Sequence, residues 1–197
     1  MYAPVLVTPP ATTPVSLQEV KQHLRLVAGA ETYTTEDGTL QIYLDAAVSY
    51  LDGYAGVLGR CLVTQTWRQD FDGMAKSMRL PLLAAGVSSI KVRNADGQLS
   101  TVSSDDYSLK SDELGSYVRF DDSYTFPSDL AETQAILIEF TAGYGVASAV
   151  PAALKAAILL MVGHWYANRE AVVTGTIATT MPIAVDALLT PYRRVGI

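Results

Sequence analysis

The side chains able to support chemistry are few in this sequence, and their spacing brings none of them into a recognisable constellation. His23 and His164 are its two histidines; they fall on different predicted helices, and neither has a partner at metal-ligand spacing. His164, beside Trp165 and Tyr166, reads as a packed histidine. The single cysteine, Cys61, excludes an internal disulfide and any Cys-based zinc cluster. With no base or orienting group near it, Cys61 reads as a buried or strand-edge thiol. No G-x-S-x-G elbow and no P-loop is present. Gly143-Tyr144-Gly145 imitates the start of a dinucleotide fingerprint, but Ser148 stands where the third glycine is needed and Val150-Pro151 interrupts the turn. It reads instead as a flexible joint between a strand and a helix. The carboxylate pairs Asp105-Asp106 and Asp121-Asp122 have the chemistry to hold a hard cation or exchange protons, yet both lie in polar stretches beside predicted strands and read as solvated turns. The expectation is of no catalytic residue, no metal and no cofactor.

The chain has 197 residues, enough for one domain or a compact domain carrying a large insertion. Apolar residues make up 49% and charged residues only 17%, a composition that supports a sizeable core and suits a subunit burying surface against copies of itself. A net charge of −6 argues against general nucleic-acid binding, which draws on Lys and Arg. The acids concentrate in the middle: residues 61–142 carry twelve of the twenty acids and seven of the fourteen bases. Arg193 and Arg194 make the end mildly basic. The opening residues lack the basic and apolar regions of a signal peptide, and no apolar run is long enough to span a bilayer, so a soluble product of the cytoplasm with no membrane partner is expected.

Residues 1–15, with Pro4, Pro9, Pro10 and Pro14, read as an extended arm. Ser16 and Glu19 have capping-box spacing and open a predicted helix over 16–28, with Gly29 as its stop. Leu40, Leu44, Ala47, Leu51, Tyr54 and Leu58 recur at spacings of four and three, predicting a helix over 39–58. From Cys61 the period drops to two. Residues 62–71, 87–93, 99–102, 107–110, 117–120 and 135–140 read as strands, with Asn94-Ala95-Asp96-Gly97 as a hairpin turn. Helical spacing returns at Pro151, through Leu154, Ile158, Met161 and Trp165, predicting a helix over 151–171. A last helix spans 182–190, leaving a short tail. The fold class is therefore α+β: a small helical bundle formed by 16–60 and 143–190, with an antiparallel β module inserted at about 61–142.

Several strings occur in a distinctive order. Residues 50–62 (YLDGYAGVLGRCL) run straight into Thr64-Gln65-Thr66-Trp67; residues 138–145 (IEFTAGYG) close the β module; residues 150–160 (VPAALKAAILL) open a helix that continues into 164–170 (HWYANRE); and residues 188–194 are LLTPYRR. From Ser16 to Arg194 this series resembles the head–tail connector (adaptor) family of tailed bacteriophages and gene transfer agents, in its longer form with a β-insertion.

The resemblance implies a non-catalytic virion structural protein: an adaptor subunit, assembled in the bacterial cytoplasm, that joins copies of itself in a ring, dodecameric in most of the family, at the particle neck. The ring would dock on the portal protein at the capsid vertex, offer its other face to a stopper or tail-completion protein, and let DNA pass without specific binding. It further implies a C-terminal portal-docking tail of Pro191, Tyr192, Arg193, Arg194, Val195, Gly196 and Ile197, with the arginines meeting acidic groups or carbonyls. A closed ring repeats one heterologous contact, so each subunit needs two different adhesive sides. Ile42, Tyr43, Tyr50, Tyr54, Trp165 and Tyr166 are the candidate ring-interface residues. Two other readings stand beside this one. The first is a non-catalytic carbohydrate- or receptor-binding module presenting Trp67, Tyr107, Tyr117 and Tyr124 on one surface of the β insertion; the second is a hydrolase using an acid pair.

Overall fold

A computed structural model describes residues 2–28, 31–32, 35–169 and 183–194. In chain order its elements are β1 (Val5–Thr8), α1 (Leu17–His23), β2 (Val27–Ala28), β3 (Glu31–Thr32), α2 (Asp37–Leu51), β4 (Gln65–Phe71), β5 (Ser77–Arg79), β6 (Ala84–Arg93), β7 (Leu99–Thr101), β8 (Tyr107–Asp112), β9 (Gly115–Phe120), β10 (Ile136–Ala142), α3 (Ala152–Ala167) and α4 (Ile183–Leu189). The fold is mixed α+β with antiparallel sheets. Two compact units divide the chain: one joins the residues up to Ala11 to Val63–Tyr144, and the other joins Thr12–Leu62 to the residues from Gly145 onward.

In the helical unit, α2 packs on α3, α3 on α4, and α1 on both α2 and α3. The capping box that opens α1 forms as its spacing predicts: the Ser16 hydroxyl accepts from the Glu19 amide at 3.2 Å, and the Glu19 carboxylate accepts from the Ser16 amide at 2.7 Å. The same contact to the Ser16 amide holds the Glu19 carboxyl below its ordinary pKa. The helix ends five residues before the predicted 28. Arg25 takes φ 58°, Leu26 N–H donates to the Lys21 carbonyl and Arg25 N–H to that of Gln22, the bonds of a Schellman stop. Glycine is the usual occupant of that left-handed position, and with arginine there the sequence carries no stop signal.

Along α2, Leu40, Leu44, Ala47 and Leu51 are buried as their spacing requires, each leucine contributing roughly 1.5–3 kcal/mol. The predicted end at 58 is wrong. The helix stops at Leu51 because Gly53 turns left-handed at φ 79° and donates to the Arg60 carbonyl, while the Asp52 carboxylate accepts from the Leu62 amide at 2.6 Å. A side chain at Gly56 would run into the backbone of Leu51 and Asp52, so this turn is closely packed. Leu58 still reaches the core, but Tyr54, the next stripe position, is left outside at 49% exposure. On α3, Leu154, Ala157, Ile158, Met161 and Val162 are buried; the helix closes at Ala167, where the Asn168 amide donates to the His164 carbonyl. Gly29, and residues 170, 171 and 182 at the predicted helix ends, lie outside the described residues.

The β unit holds a five-stranded sheet, ordered β1-β4-β10-β6-β7, and a three-stranded sheet, β5-β9-β8. Trp67, Ile90, Val92, Ile136, Ile138 and Phe140 are buried from the first sheet, and Met78, Val118 and Phe120 from the second. The Asp-Gly turn forms as expected: Gly97 has φ 82°, and its N–H donates to the Asn94 carbonyl. Two short strands of the β unit, β1 and β5, lie outside the predicted set, as do β2 and β3 of the helical unit. β5 is three residues long, below what alternation can reveal, and β1 emerges from the proline-rich arm. Prolines on either side of Val5–Thr8 are compatible with an edge strand, whose outer N–H groups have no ladder to join.

Candidate assembly surfaces

The buried stripe of α2 leaves Ile42, Asp45, Ala46, Ser49 and Tyr50 together on its opposite, exposed side. Ile42 is 67% exposed and Tyr50 42%. The only charge on this strip, Asp45, accepts a hydrogen bond from Gln41 at 2.8 Å. Beyond the helix end, the Val57 amide donates to the Tyr50 carbonyl at 2.9 Å, tying to Tyr50 a turn on which Tyr54 and Val57 are also exposed. The result is an exposed run in which the large apolar side chains Ile42, Tyr50, Tyr54 and Val57 are interspersed with small ones and a single charge.

The six candidate ring residues divide in two. Ile42, Tyr50 and Tyr54 face outward as described. Tyr43, Trp165 and Tyr166 are half-buried and bound within the helical unit: the Tyr43 and Trp165 rings meet across α2 and α3 with centroids 6.4 Å apart, and the Tyr166 hydroxyl donates to the Glu36 carboxylate. Arg169 donates to the other Glu36 oxygen at 2.7 Å, with its guanidinium 4.8 Å from the Tyr166 ring centroid. The Arg169 and Tyr166 hydrogen bonds hold the Glu36 carboxyl below its usual range, and the bond to Glu36 raises the Tyr166 hydroxyl. Ala46, Ser49 and Val57 were missed. The spacing of Ala46 and Ser49 from Ile42, at i+4 and i+7, would have shown the first two on the same side of the helix.

Of the candidate docking tail, Pro191 and Tyr192 complete a 3₁₀ turn after α4. Arg193 pairs with Asp186 at 2.7 Å, and the Arg194 amide donates to the Leu58 carbonyl at 2.9 Å. The tail is thus fastened to its own helical unit as far as Arg194; Val195, Gly196 and Ile197 lie outside the described residues.

The remaining chemistry-bearing residues occupy structural positions. The His23 ring lies beside Gly163, at van der Waals distance from where a side chain there would begin, and Asn168 donates to the His164 carbonyl. Cys61 is buried. Asp122 pairs with Lys76 at 2.7 Å and, more distantly, with Arg119 at 3.9 Å; Asp105 and Asp106 form a 3₁₀ turn capped by Ser103. Among the described residues no cluster of His, Cys, Asp or Glu has the makings of a metal site. Gly143 is a close-approach position rather than a flexible joint, since a side chain there would meet the Val63 backbone. Of the aromatics expected on a carbohydrate-binding surface, Tyr107 and Tyr124 stand together, whereas Trp67 is withdrawn from the surface. Trp67 is buried and donates to Gln65, Tyr107 and Tyr124 pack on Phe120, and Tyr117 lies beneath Arg79.

No protein-family model matches the sequence, and no curated protein does. Solved structures do. The chain is similar over its full length to a chain in the neck of an empty gene transfer agent (GTA) particle computed with C6 symmetry, at TM-score 0.79 and 25% identity, covering 97% of that chain. It is similar to the same extent of length to a chain in the virion of a native GTA particle, at TM-score 0.77 and 25% identity. A chain in the neck of a native GTA particle computed with C12 symmetry matches at TM-score 0.74 and 23% identity, again over 100% of this chain and 97% of that one. These likenesses are to structural components of particles. Among the described residues no helix is long and apolar enough to cross a membrane.

Proposed function

We propose that this chain is a non-catalytic adaptor subunit of the head–tail connector in a phage-like particle, located at the particle neck. The observation that carries the reading is the full-length likeness, at TM-score 0.79, to a GTA neck chain. The symmetry of the neck reconstructions supports a cyclic arrangement of identical copies. In this reading the helices form the small bundle that tiles the ring, and the face of Ile42, Ala46, Ser49 and Tyr50, extended by Tyr54 and Val57, is one of its two adhesive sides. The ring joins the portal protein to a stopper or tail-completion protein. DNA passes through its centre without base-specific contact, and an acidic subunit of net charge −6 keeps the duplex from adhering.

The segment Pro191–Ile197 is the portal-docking element. Arg193 is 40% exposed at its side chain and, among the described residues, pairs with the carboxylate of Asp186; docking exchanges that partner for an acidic group or carbonyl of the portal. The test is a pulldown with portal protein, comparing the full chain with a chain truncated after Pro191. The truncated chain is expected to stay folded by circular dichroism and to lose portal capture. Capture undiminished by the truncation, or tailed and transfer-competent particles built with it, would refute the docking role.

A further inference from the structure

β1, like β7 at the opposite edge, is a weakly integrated strand of the β unit. It pairs only with β4, at the sheet edge, and all four of its residues are exposed, including the consecutive aliphatics Val5, Leu6 and Val7 at 43–46%. Its docking therefore adds little to the core. What fastens it is polar and specific. The fully buried Gln69 side chain donates to the Tyr2 carbonyl at 2.8 Å. The Tyr2 hydroxyl donates to Asp72 at 2.6 Å, and the Gln134 amide donates to the same Asp72 oxygen at 2.9 Å. The edge of β4 with Gln69 and Asp72 is a socket built to receive an N-terminal segment. After β1 the chain runs through exposed Pro9, half-buried Pro10 and exposed Ala11 and Thr12 before Pro14 and Val15 are buried in the other unit. Consecutive prolines favour an extended course through residues 8–10, and the chain bends after them, at residues 11 and 12 and again at 14 and 15.

We infer that in the assembled ring Tyr2–Thr8 is exchanged between neighbouring copies, each chain's β1 completing the five-stranded sheet of the next by the same contacts to β4, Gln69 and Asp72. Exchange of an identical element conserves every hydrogen bond of the closed chain, so it costs little beyond straightening the linker. Residues 9–13, extended at about 3.1 Å each, reach about 15 Å, which restricts any exchange to copies in direct contact. The acceptor is therefore the adjoining copy. A strand that bridges this boundary also explains the exposed aliphatics: Val5, Leu6 and Val7 would lie where a second subunit covers them, a use for an edge that is otherwise an aggregation liability.

The inference rests on the ring reading and is tested separately from it. In a Cys61→Ala background, chains carrying Thr8→Cys and chains carrying Thr66→Cys, whose positions are cross-strand partners, are produced together in particle-forming cells. The particles are then purified, oxidised and run on a non-reducing denaturing gel. Exchange is expected to give disulfide-linked dimers that collapse on reduction, and the double variant Thr8→Cys/Thr66→Cys a ladder of linked oligomers. The second partner pair, Val5→Cys and Arg68→Cys, should repeat the pattern if the first perturbs the strand. Chains present in the particles that close only internally, or form no crosslink with either pair, overturn the exchange and leave the neck assignment standing. Chains missing from the particles altogether overturn both.

Discussion

The helical and β units differ in how charge is spread over their exposed elements. Residues 63–144 carry twelve acids and seven bases. Most of the ion pairs there lie at the surface: Arg79 with Asp112, and Lys76 and Arg119 with Asp122, all with side chains at least 37% exposed. The helical unit also has surface pairs, Arg169 with Glu36 and Arg193 with Asp186, and a buried Lys21 that Asp37 offsets at 2.5 Å, but the outer side of α2 is left almost uncharged. Surface ion pairs of the first kind add little stability but keep a body solvated. A low-charge helix face of the second kind is stable in water only at the risk of association, which a ring subunit turns to use. The helical unit thus exposes apolar residues along a helix face, whereas the β unit exposes its own mainly at strand edges and turns, Leu99 and Leu114 among them.

The sharpest way to break this comparison sets two residues of one helix against each other. Ile42→Asp, on the exposed side of α2, is expected to change the stability of the isolated chain by less than about 0.5 kcal/mol yet lower its incorporation into particles by about 100-fold, as burying an unpaired charge at an interface does. Leu44→Ala, on the buried side, should cost about 2–5 kcal/mol of stability, measured by denaturant unfolding. If Ile42→Asp chains still fill the neck, the outer face of α2 is not an interface.

The buried pair comes next. Asp37→Ala leaves Lys21 without its carboxylate and is expected to destabilise the chain by about 2 kcal/mol, less than for a fully buried pair because Asp37 is one-third exposed. Lys21→Met, which removes the charge and keeps the volume, should be nearly neutral. Equal effects of the two would mean that the ion pair itself, not the stranded charge, matters. In the β unit, Arg79→Ala should shift the thermal midpoint far less than Asp37→Ala.

A smaller effect follows pH. Glu36 is held below its ordinary pKa by Arg169 and Tyr166. A depressed carboxyl contributes stability that is fully present above its ordinary value of 4.5 and is lost as the pH falls through its lower folded value. The thermal midpoint of Glu36→Gln should therefore decline less on acidification than that of the parent chain. The smallest effect expected is that of Asp121→Asn with Asp122→Asn. Both residues are exposed, and Asp122 pairs with Lys76 and Arg119, so particle assembly should be unchanged, and a complete loss of function would point instead to a cation or acid–base role.

Much of this architecture was legible in the sequence, for physical reasons that also explain the gaps. Ser16 and Glu19, the Asn94–Gly97 turn and the stripe from Leu40 to Leu51 are local signals and formed as read. The end of α1 was hidden because a left-handed arginine, Arg25, replaces the expected glycine. The end of α2 was hidden because Tyr54 and Leu58 continue the apolar spacing past a turn that long-range bonds from Asp52 and Gly53 impose. The pairing of β1 with β4 joins residues more than fifty positions apart, which periodicity cannot register. Among the candidate surface residues, spacing distinguished the buried side of α2 from its opposite, but it did not show that Tyr43 and Tyr166 would be engaged by Trp165 and Glu36 across helices.

The most direct test of the account is a reconstruction of the neck of particles from cells that make this chain. The account predicts a closed ring of copies between portal and tail, with the Ile42–Tyr50 side of α2 buried against the adjoining copy. A neck built without this polypeptide, or a ring in which that side of α2 faces solvent, would contradict it.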